Sequence, residues 1–257
     1  MSRKTLNKTN LAALGADRLA DLMLEVSTGS AEIKRRLRLE LSHNLGPQEL
    51  AGDVRKRLVS LRKSRGFVSW RKRKSLIKDL NTQVGMITEK IAPEEPTQAF
   101  ELLWQFIELA PSIYERVDDS RGEVGDVFRD ALQRFEDIAP RAIFGPQTLA
   151  ARVWDAVLDN GYGEFDGIIS LLAPSLGDAG LTHLKALVQA YEDAPLPDER
   201  EDHAAIHFLR DLRSEDGSYA AEEKTRFIKY CLQGLCQVVM SRRDKDPRPL
   251  QVAILAA

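Results

Sequence analysis

The chain has 257 residues, 43% of them hydrophobic and 30% charged, with a formal charge of −2 at neutral pH. This length can bury a core, and the composition is that of a globular protein. The sequence has no apolar run long enough to span a membrane, and its N-terminal residues MSRKTLNKTN contain no apolar leader. With only two cysteines it has no disulfide framework. We therefore expect a cytoplasmic protein with no membrane partner.

The first part of the chain has apolar residues at helical spacing. Segments 11–26 and 33–41 predict helices, and the first is interrupted near Gly15. Two further helices flank Gly66, with Ser69 placed to cap the second, and we expect them to pack antiparallel on each other. One stripe of this hairpin is Leu50, Val54, Leu58 and Leu61; the other is Ile77, Leu80, Val84, Ile87 and Ile91, with Trp70 one heptad before Ile77.

Residues 55–78 of this hairpin hold eleven Lys/Arg and no Asp/Glu. Several of these cations fall in the first turns of the second helix, where the helix macrodipole opposes each by about 0.3–1 kcal/mol. A bound anion would explain them, whereas a solvated face or pairing with the protein's own acidic residues is the alternative. The candidate polyanion-binding residues are Arg55, Arg62, Lys63, Arg65, Arg71, Lys72, Arg73 and Lys74.

The rest of the chain also predicts helix after helix. Pro93 to Pro96 form a rigid connector, and amphipathic segments separated by Gly, Pro and Asp/Asn clusters continue to about residue 235. We predict an all-α fold of about ten helices, stacked as antiparallel hairpins in an irregular α-solenoid or a compact helical bundle. The expected division is an N-terminal helical subdomain (1–92) with the basic hairpin, a C-terminal helical-hairpin subdomain (97–240) and an atypical tail (241–257).

Two turns between the later helices are rich in polar residues. Because turns two helices apart lie on one edge of a hairpin stack, we expect these two turns to face each other. Neighbouring carboxylates can bind a hard cation, but their spacing does not fit a calcium loop, and capping and turn formation explain them without a ligand. The candidate residues of this edge are Asp118, Asp119, Ser120 and Asp126 in the first turn and Asn160, Tyr162 and Asp166 in the second.

The sequence offers weak signals for metal binding or catalysis. His203 and His207 have the four-residue spacing of a zinc-protease pair, but Ala204 stands where that motif requires glutamate. Cys231 and Cys236 are five residues apart, which is wider than usual for zinc. The sequence contains no phosphate-binding glycine loop, dinucleotide fingerprint or catalytic-triad signature. We therefore predict no catalytic residue, no metal and no cofactor, and an enzyme is not favoured.

Several longer phrases identify a resemblance. They are KTLNKTNLAALGADRLADLML (4–24), RRLRLEL (35–41), VRKRL and RGFVSWRKRKSLIKDL (within 54–80), YERVDDSRGEVGDVFRDAL (114–132) and DNGYGEFDGIISLLAPSLG (159–177). These phrases resemble a bacterial, mainly alphaproteobacterial, family of helical proteins catalogued as a domain of unknown function. The resemblance implies a helical fold in the bacterial cytoplasm and brings no activity with it. It also implies a longer second helical half, so the residues after Gly234 look like a truncated or altered tail.

Two classes of function follow from these patterns. The favoured class is a helical scaffold or protein-interaction module with an unknown protein partner, the usual role of irregular helical hairpins. The alternative is binding of nucleic acid or another polyanion through residues 55–78, by phosphate contacts that tolerate any sequence and weaken with salt.

Overall fold

The computed structural model describes residues 5–193, and these residues form a succession of helices. The first five are α1 (Lys8–Ala12), α2 (Ala16–Thr28), α3 (Ala31–Leu45), α4 (Pro47–Lys63) and α5 (Trp70–Gly85). A π-helical segment (Met86–Ile91) extends α5, and α6 (Pro96–Ile107), α7 (Ala110–Tyr114), α8 (Glu123–Gln133) and α9 (Phe135–Ile138) follow. A 3₁₀ turn (Ala139–Arg141), α10 (Pro146–Leu158) and α11 (Ile168–Asp193), which is kinked at Gly177, complete the described part.

Local sequence accounts for where the helices begin. The side chains of Asn7 and Ser30 accept hydrogen bonds from backbone N–H groups in the first turns of α1 and α3. Proline occupies the first position of α4, α6 and α10, where its missing N–H has no helical partner to lose. The all-α fold of about ten helices is confirmed: between residues 5 and 193, extended pairing is limited to one isolated bridge, from Val68 to Val117.

A single hydrophobic core joins helices α3 to α11. Its centre is α6, whose Phe100, Trp104 and Phe106 are almost fully buried. The π-helical segment, α4 and α9 all pack against α6. Helix α10 packs along α11. Buried residues of this core extend from Leu39 to Val188, on both sides of the connector 93–96. The division into subdomains 1–92 and 97–240 stays a prediction.

The basic hairpin has a different register from the predicted one. Its first stripe is buried as expected, together with Leu80, Ile87 and Ile91. Ile77 and Val84, however, are only half-buried, and Trp70 is 66% exposed, so the prediction that Trp70 begins the stripe is wrong. The buried face of α5 comprises Arg73, Leu76, Asp79, Leu80 and Gln83. Three of these five residues are polar, so a pattern of apolar residues could not identify this face. The face that the pattern predicted is displaced from the buried face by about one residue along the helix.

Several predictions fall outside the described residues. They include the amphipathic segments expected between residue 194 and about residue 235, the histidine pair, the cysteine pair and the tail 241–257. Within residues 5–193, no helix is long and apolar enough to cross a membrane.

Candidate functional site

The turn 64–69 of the basic hairpin is fixed against the chain that follows α7. The backbone N–H of Val68 donates a hydrogen bond of 2.8 Å to the carbonyl of Arg116. The guanidinium of Arg116, itself buried, donates a longer hydrogen bond of 3.4 Å to the carbonyl of Gly66. Val68 packs partly buried against the core. Because this backbone is extended, the neighbour Phe67 lies on the opposite side from Val68 and is 69% exposed.

Arg73 is the predicted polyanion-binding residue that the structure removes from the surface. Its side chain is 10% exposed, and its Nε lies 2.8 Å from a carboxylate oxygen of Glu123. Its Nη1 donates a hydrogen bond of 2.9 Å to the backbone carbonyl of Asp118. Arg73 therefore joins α5 to the beginning of α8 and is not available to an external anion.

Other cations of residues 55–78 also pair with acidic residues of the protein itself. Arg57 forms a two-nitrogen contact with the buried carboxylate of Asp79. The Nζ of Lys78 lies 2.6 Å from Glu32, and that contact lowers the pKa of the Glu32 carboxyl. Internal pairing, one of the alternatives raised by the sequence, thus accounts for a part of the basic stretch.

The remaining predicted cations are exposed. Within the described part of the chain, a carboxylate partner is found only for Arg62, whose Nη2 lies 3.1 Å from Glu108. The cations without such a partner between residues 5 and 193 are Arg55, Lys63, Arg65, Arg71, Lys72 and Lys74. Ser69 stands at the cap position of α5, but its side chain accepts no capping hydrogen bond. The predicted position of Ser69 at the start of the helix is therefore correct, but the predicted capping hydrogen bond is not formed.

Two exposed aromatic rings lie among these cations. Phe67 is in the turn, and Trp70, the first residue of α5, is exposed with the guanidinium carbon of Arg71 5.1 Å from its ring centroid. We name this surface the basic-aromatic tip; its residues are Arg65, Phe67, Trp70, Arg71, Lys72 and Lys74. It combines positive charge with exposed ring faces, which the charge pattern alone did not indicate.

The two polar turns meet, as expected from the hairpin stack. The ring of Tyr114, at the end of α7, lies with its centroid 5.5 Å from that of Tyr162 in the second turn. Burial raises the pKa of Tyr114 to about 12, and the nearby carboxylates of Asp119 and Glu164 act in the same direction, whereas Arg129 opposes them. Tyr114 is therefore the residue through which the two turns contact each other.

Turn and capping hydrogen bonds occupy the polar residues of the first turn. The carboxylate of Asp119 accepts hydrogen bonds of 2.9 and 2.8 Å from the N–H groups of Val124 and Gly125 in the first turn of α8. Asp118 accepts a hydrogen bond from the N–H of the exposed Ser120, which lowers the pKa of the Asp118 carboxyl. Asp126 pairs with Arg129 one helical turn later.

The second turn is stabilised in the same way. The amide of Asn160 accepts a 2.8 Å hydrogen bond from the N–H of Phe165 and donates one of 2.8 Å to Asp166. Glu164 is buried and accepts a hydrogen bond from the N–H of Tyr162; burial raises the pKa of its carboxyl. Within residues 5–193, no group of three His, Cys, Asp or Glu side chains is placed to hold a metal ion.

A groove of about 710 Å³, which the sequence did not predict, lies between the end of α4, helices α6, α7 and α10, and the second polar turn. Trp104 and Phe165 lie at its base with ring centroids 5.0 Å apart. The guanidinium carbon of Arg152 is 4.4 Å from the Trp104 ring centroid, and its Nη1 lies 2.6 Å from Glu101. The sequence signal for this groove was the presence of charged residues inside apolar helices, Glu101 in α6 and Arg152 and Asp155 in α10.

Eight of the thirteen residues lining this groove are charged. The carboxylates are Glu108, Glu115, Asp155, Asp159 and Glu164, and the guanidinium groups are those of Arg62, Arg65 and Arg152. Glu108 pairs with Arg62. Glu115, Asp155 and Asp159 are exposed and have no ion-pair partner within the described part of the chain. Negative charge is therefore in excess along the groove.

These features define an all-α protein with two neighbouring charged surfaces of different sign, a basic-aromatic tip and an acidic groove, and Arg65 belongs to both. The chain belongs to the family described as a family of unknown function (DUF6880), whose model matches residues 1–240. No curated protein and no solved structure matches the chain significantly. The predicted membership in a family of unknown function is confirmed, whereas the bacterial origin and the missing second half stay predictions.

Proposed function

We propose that this protein is a helical interaction module that binds a short cationic segment of a partner protein in its acidic groove. The observation that carries the proposal is the groove itself, because its volume is within the range of about 300–1,000 Å³ typical of ligand clefts. Small-molecule clefts are mostly apolar. This one is mostly charged, which favours a polar peptide over an apolar metabolite.

Charge complementarity identifies the chemistry of the partner segment. Three exposed carboxylates along the groove lack a cation among the described residues, and Lys or Arg side chains of a partner would supply it. Exposed ion pairs contribute mainly to specificity and association rate. The guanidinium of Arg152, which lies over Trp104 and 2.6 Å from Glu101, repels other cations, so those of the segment contact Glu115, Asp155 and Asp159.

Selection from a random peptide library displayed on phage tests this proposal. The full chain is the target, and the expected result is enrichment of peptides that contain two or more Lys/Arg. Their affinity, measured by fluorescence anisotropy with synthetic peptides, should fall at least about tenfold for Asp155→Arg/Asp159→Arg, since two attractive contacts become repulsive.

The control is Asp130→Arg/Glu136→Arg, which makes the same change of charge at exposed positions of α8 and α9 that do not line the groove. This variant should retain the affinity of the parent protein. Equal loss in both variants would reveal only a general charge effect and would contradict a groove site, as would selection of peptides without a cationic preference.

A second function is favoured by the exposed cations of the basic hairpin. We infer that these residues bind a polyanion through phosphate contacts, because folding alone does not explain cations near the start of α5 that lack internal partners among the described residues. Arg73 is excluded from this surface by its pairing with Glu123. Arg62 is likewise left out, because it pairs with Glu108. The surface therefore comprises Arg55, Lys63, Arg65, Arg71, Lys72 and Lys74.

Salt-dependent binding of a duplex DNA tests this second function. About four phosphate contacts predict a slope of about −3 to −4 when the logarithm of the association constant is plotted against that of the salt concentration. Replacement of Arg71, Lys72 and Lys74 by Gln should flatten the slope and leave the free energy of unfolding within about 0.5 kcal/mol, as expected at surface sites. Absence of duplex and single-stranded binding at low salt would contradict this function.

A further inference from the structure

The basic-aromatic tip carries two exposed aromatic rings, Phe67 and Trp70, in addition to its cations. Binding of phosphate alone would require only the cations. Phe67 and Trp70 are 69% and 66% exposed, although Phe67 lies in a turn whose backbone is held by the Val68 hydrogen bond to Arg116 and Trp70 begins the helix that follows this turn. The exposed rings are thus carried on a fixed backbone and are separated by only two residues, Val68 and Ser69. Fixed, exposed rings among cations are the arrangement on which unpaired nucleobases stack.

The contact between Arg71 and Trp70 adds to this argument. The guanidinium carbon lies 5.1 Å from the indole ring centroid, so one charged planar group already lies against the ring. Arginine planes and aromatic rings are the two side-chain surfaces on which bases stack, and they occur here side by side. Lys72 and Lys74 on α5 and Arg65 in the turn are exposed and lie within four residues of a ring in the sequence, so they supply positive charge for the phosphates of such a strand.

An anionic membrane surface is the competing partner for exposed aromatic and basic residues. Helices that bind membranes in this way carry a broad apolar face opposite their charges. At the tip, Val68 is turned to the core and the other neighbours of the two rings are Ser64, Gly66 and Ser69. The exposed apolar surface here is limited to two rings, which favours stacking on bases over insertion into lipid.

We propose that the basic-aromatic tip binds single-stranded nucleic acid, with bases stacking on Phe67 and Trp70 and phosphates contacting Arg65, Arg71, Lys72 and Lys74. This inference rests on the second function proposed above and names its ligand class. It requires a preference for a single strand over a duplex of equal length, since paired bases do not offer their faces to side chains.

The test compares three probes with the full chain at low salt: an oligothymidylate of about 20 nucleotides, a duplex of the same length, and phosphatidylcholine vesicles containing phosphatidylserine. We expect the oligothymidylate to bind more tightly than the duplex. Phe67→Ala and Trp70→Ala should each weaken oligothymidylate binding by about 5- to 150-fold, the effect of losing one base–aromatic stack, and leave duplex binding within about twofold. Ile143→Ala, at another exposed apolar residue, is the matched control and should change neither.

The outcomes separate this inference from the function on which it rests. Equal binding of strand and duplex, unchanged in Phe67→Ala and Trp70→Ala, would overturn base stacking and leave polyanion binding intact. Vesicle binding that depends on both rings, together with oligothymidylate binding that does not, would assign the tip to a lipid surface and overturn the inference. Absence of binding to either nucleic acid would overturn both proposals. Because both rings are exposed, circular dichroism and thermal unfolding of the variants should match the parent protein.

Discussion

The Nε of Arg73 lies 2.8 Å from a carboxylate oxygen of Glu123, and this contact ties the start of α5 to the start of α8. Arg73 is nearly buried, whereas the Glu123 side chain is 42% exposed. The same guanidinium donates to the backbone carbonyl of Asp118, in the first polar turn. Arg73, a cation of the basic stretch, therefore stabilises the first polar turn. The basic-aromatic tip is held close to this turn by the hydrogen bond from Val68 to Arg116.

Replacing Arg73 by Gln should lower the free energy of unfolding by about 1–3 kcal/mol. The variant loses the ion pair with Glu123 and leaves the backbone carbonyl of Asp118 without its donor. Urea unfolding at neutral pH provides the measurement. The matched controls are Arg71→Gln and Lys72→Gln, which remove neighbouring exposed cations and should change stability by less than about 0.5 kcal/mol. Equal effects at all three positions would contradict a structural role for Arg73.

The register of the basic hairpin gives a second prediction. Leu80 is fully buried and Ile77 half-buried on the same helix. Leu80→Ala should therefore destabilise the protein by about 2–5 kcal/mol, the range for a buried leucine, and Ile77→Ala by clearly less. Equilibrium unfolding of the two variants under identical conditions provides the comparison. A loss at Ile77 as large as that at Leu80 would support the predicted register and contradict the observed one.

Helical periodicity was sufficient to predict the fold class, the approximate number of helices and the first stripe of the hairpin. It was not sufficient for α5, because Arg73, Asp79 and Gln83 are polar residues on the buried face. Their burial depends on partners far away in sequence, such as Glu123 for Arg73 and Arg57 for Asp79. A prediction based only on the spacing of apolar residues therefore cannot identify these buried polar residues.

The candidate surfaces were predictable to different extents. The basic stretch is visible as charge, but which of its cations are internally paired depends on tertiary contacts. The meeting of the two polar turns followed from the order of helices, and the structure adds Tyr114 and Tyr162 as the contact. The acidic groove was missed because its residues come from five separate segments, and no local spacing relates Arg62 to Trp104 or Asp155.

Asp119 should matter to stability through capping. Its carboxylate accepts hydrogen bonds from the N–H groups of Val124 and Gly125, so Asp119→Ala should cost about 0.5–2 kcal/mol, the usual range for a lost helix cap. The control is Asp126→Ala, which removes only an exposed pair with Arg129 and should cost less than about 0.5 kcal/mol.

The same carboxylates were considered for a divalent cation, and calcium and magnesium test that alternative directly. We expect neither ion to raise the melting temperature of the parent protein, because the first-turn carboxylates are engaged by N–H groups and Arg129. A saturable increase that disappears in Asp119→Asn would instead indicate a bound cation, since a ligand of the folded state stabilises it by mass action.

Tyr114 gives a prediction about alkaline pH. The pKa of Tyr114 is raised to about 12 in the folded protein, whereas a tyrosine in the unfolded chain has a pKa of about 10. Between these values the folded protein holds a proton that the unfolded chain has released, so the contribution of Tyr114 is fully present below about pH 10 and is lost as pH rises toward 12. The loss has a slope of at most about 1.4 kcal/mol per pH unit for one proton.

Lysine side chains also titrate between about pH 10 and 12, so the measurement needs a variant that differs from the parent protein only in the phenol group of Tyr114. Tyr114→Phe keeps the ring that packs against Tyr162 and Phe128 and removes only the group that ionises. Urea unfolding of parent and variant at several values between about pH 9 and 12 should show the parent losing stability more steeply. Absorbance of tyrosinate should likewise lose its most alkaline step in the variant. Parallel stability curves would show that Tyr114 ionises as easily in the folded protein as in the unfolded chain, and that Asp119 and Glu164 do not oppose its charge.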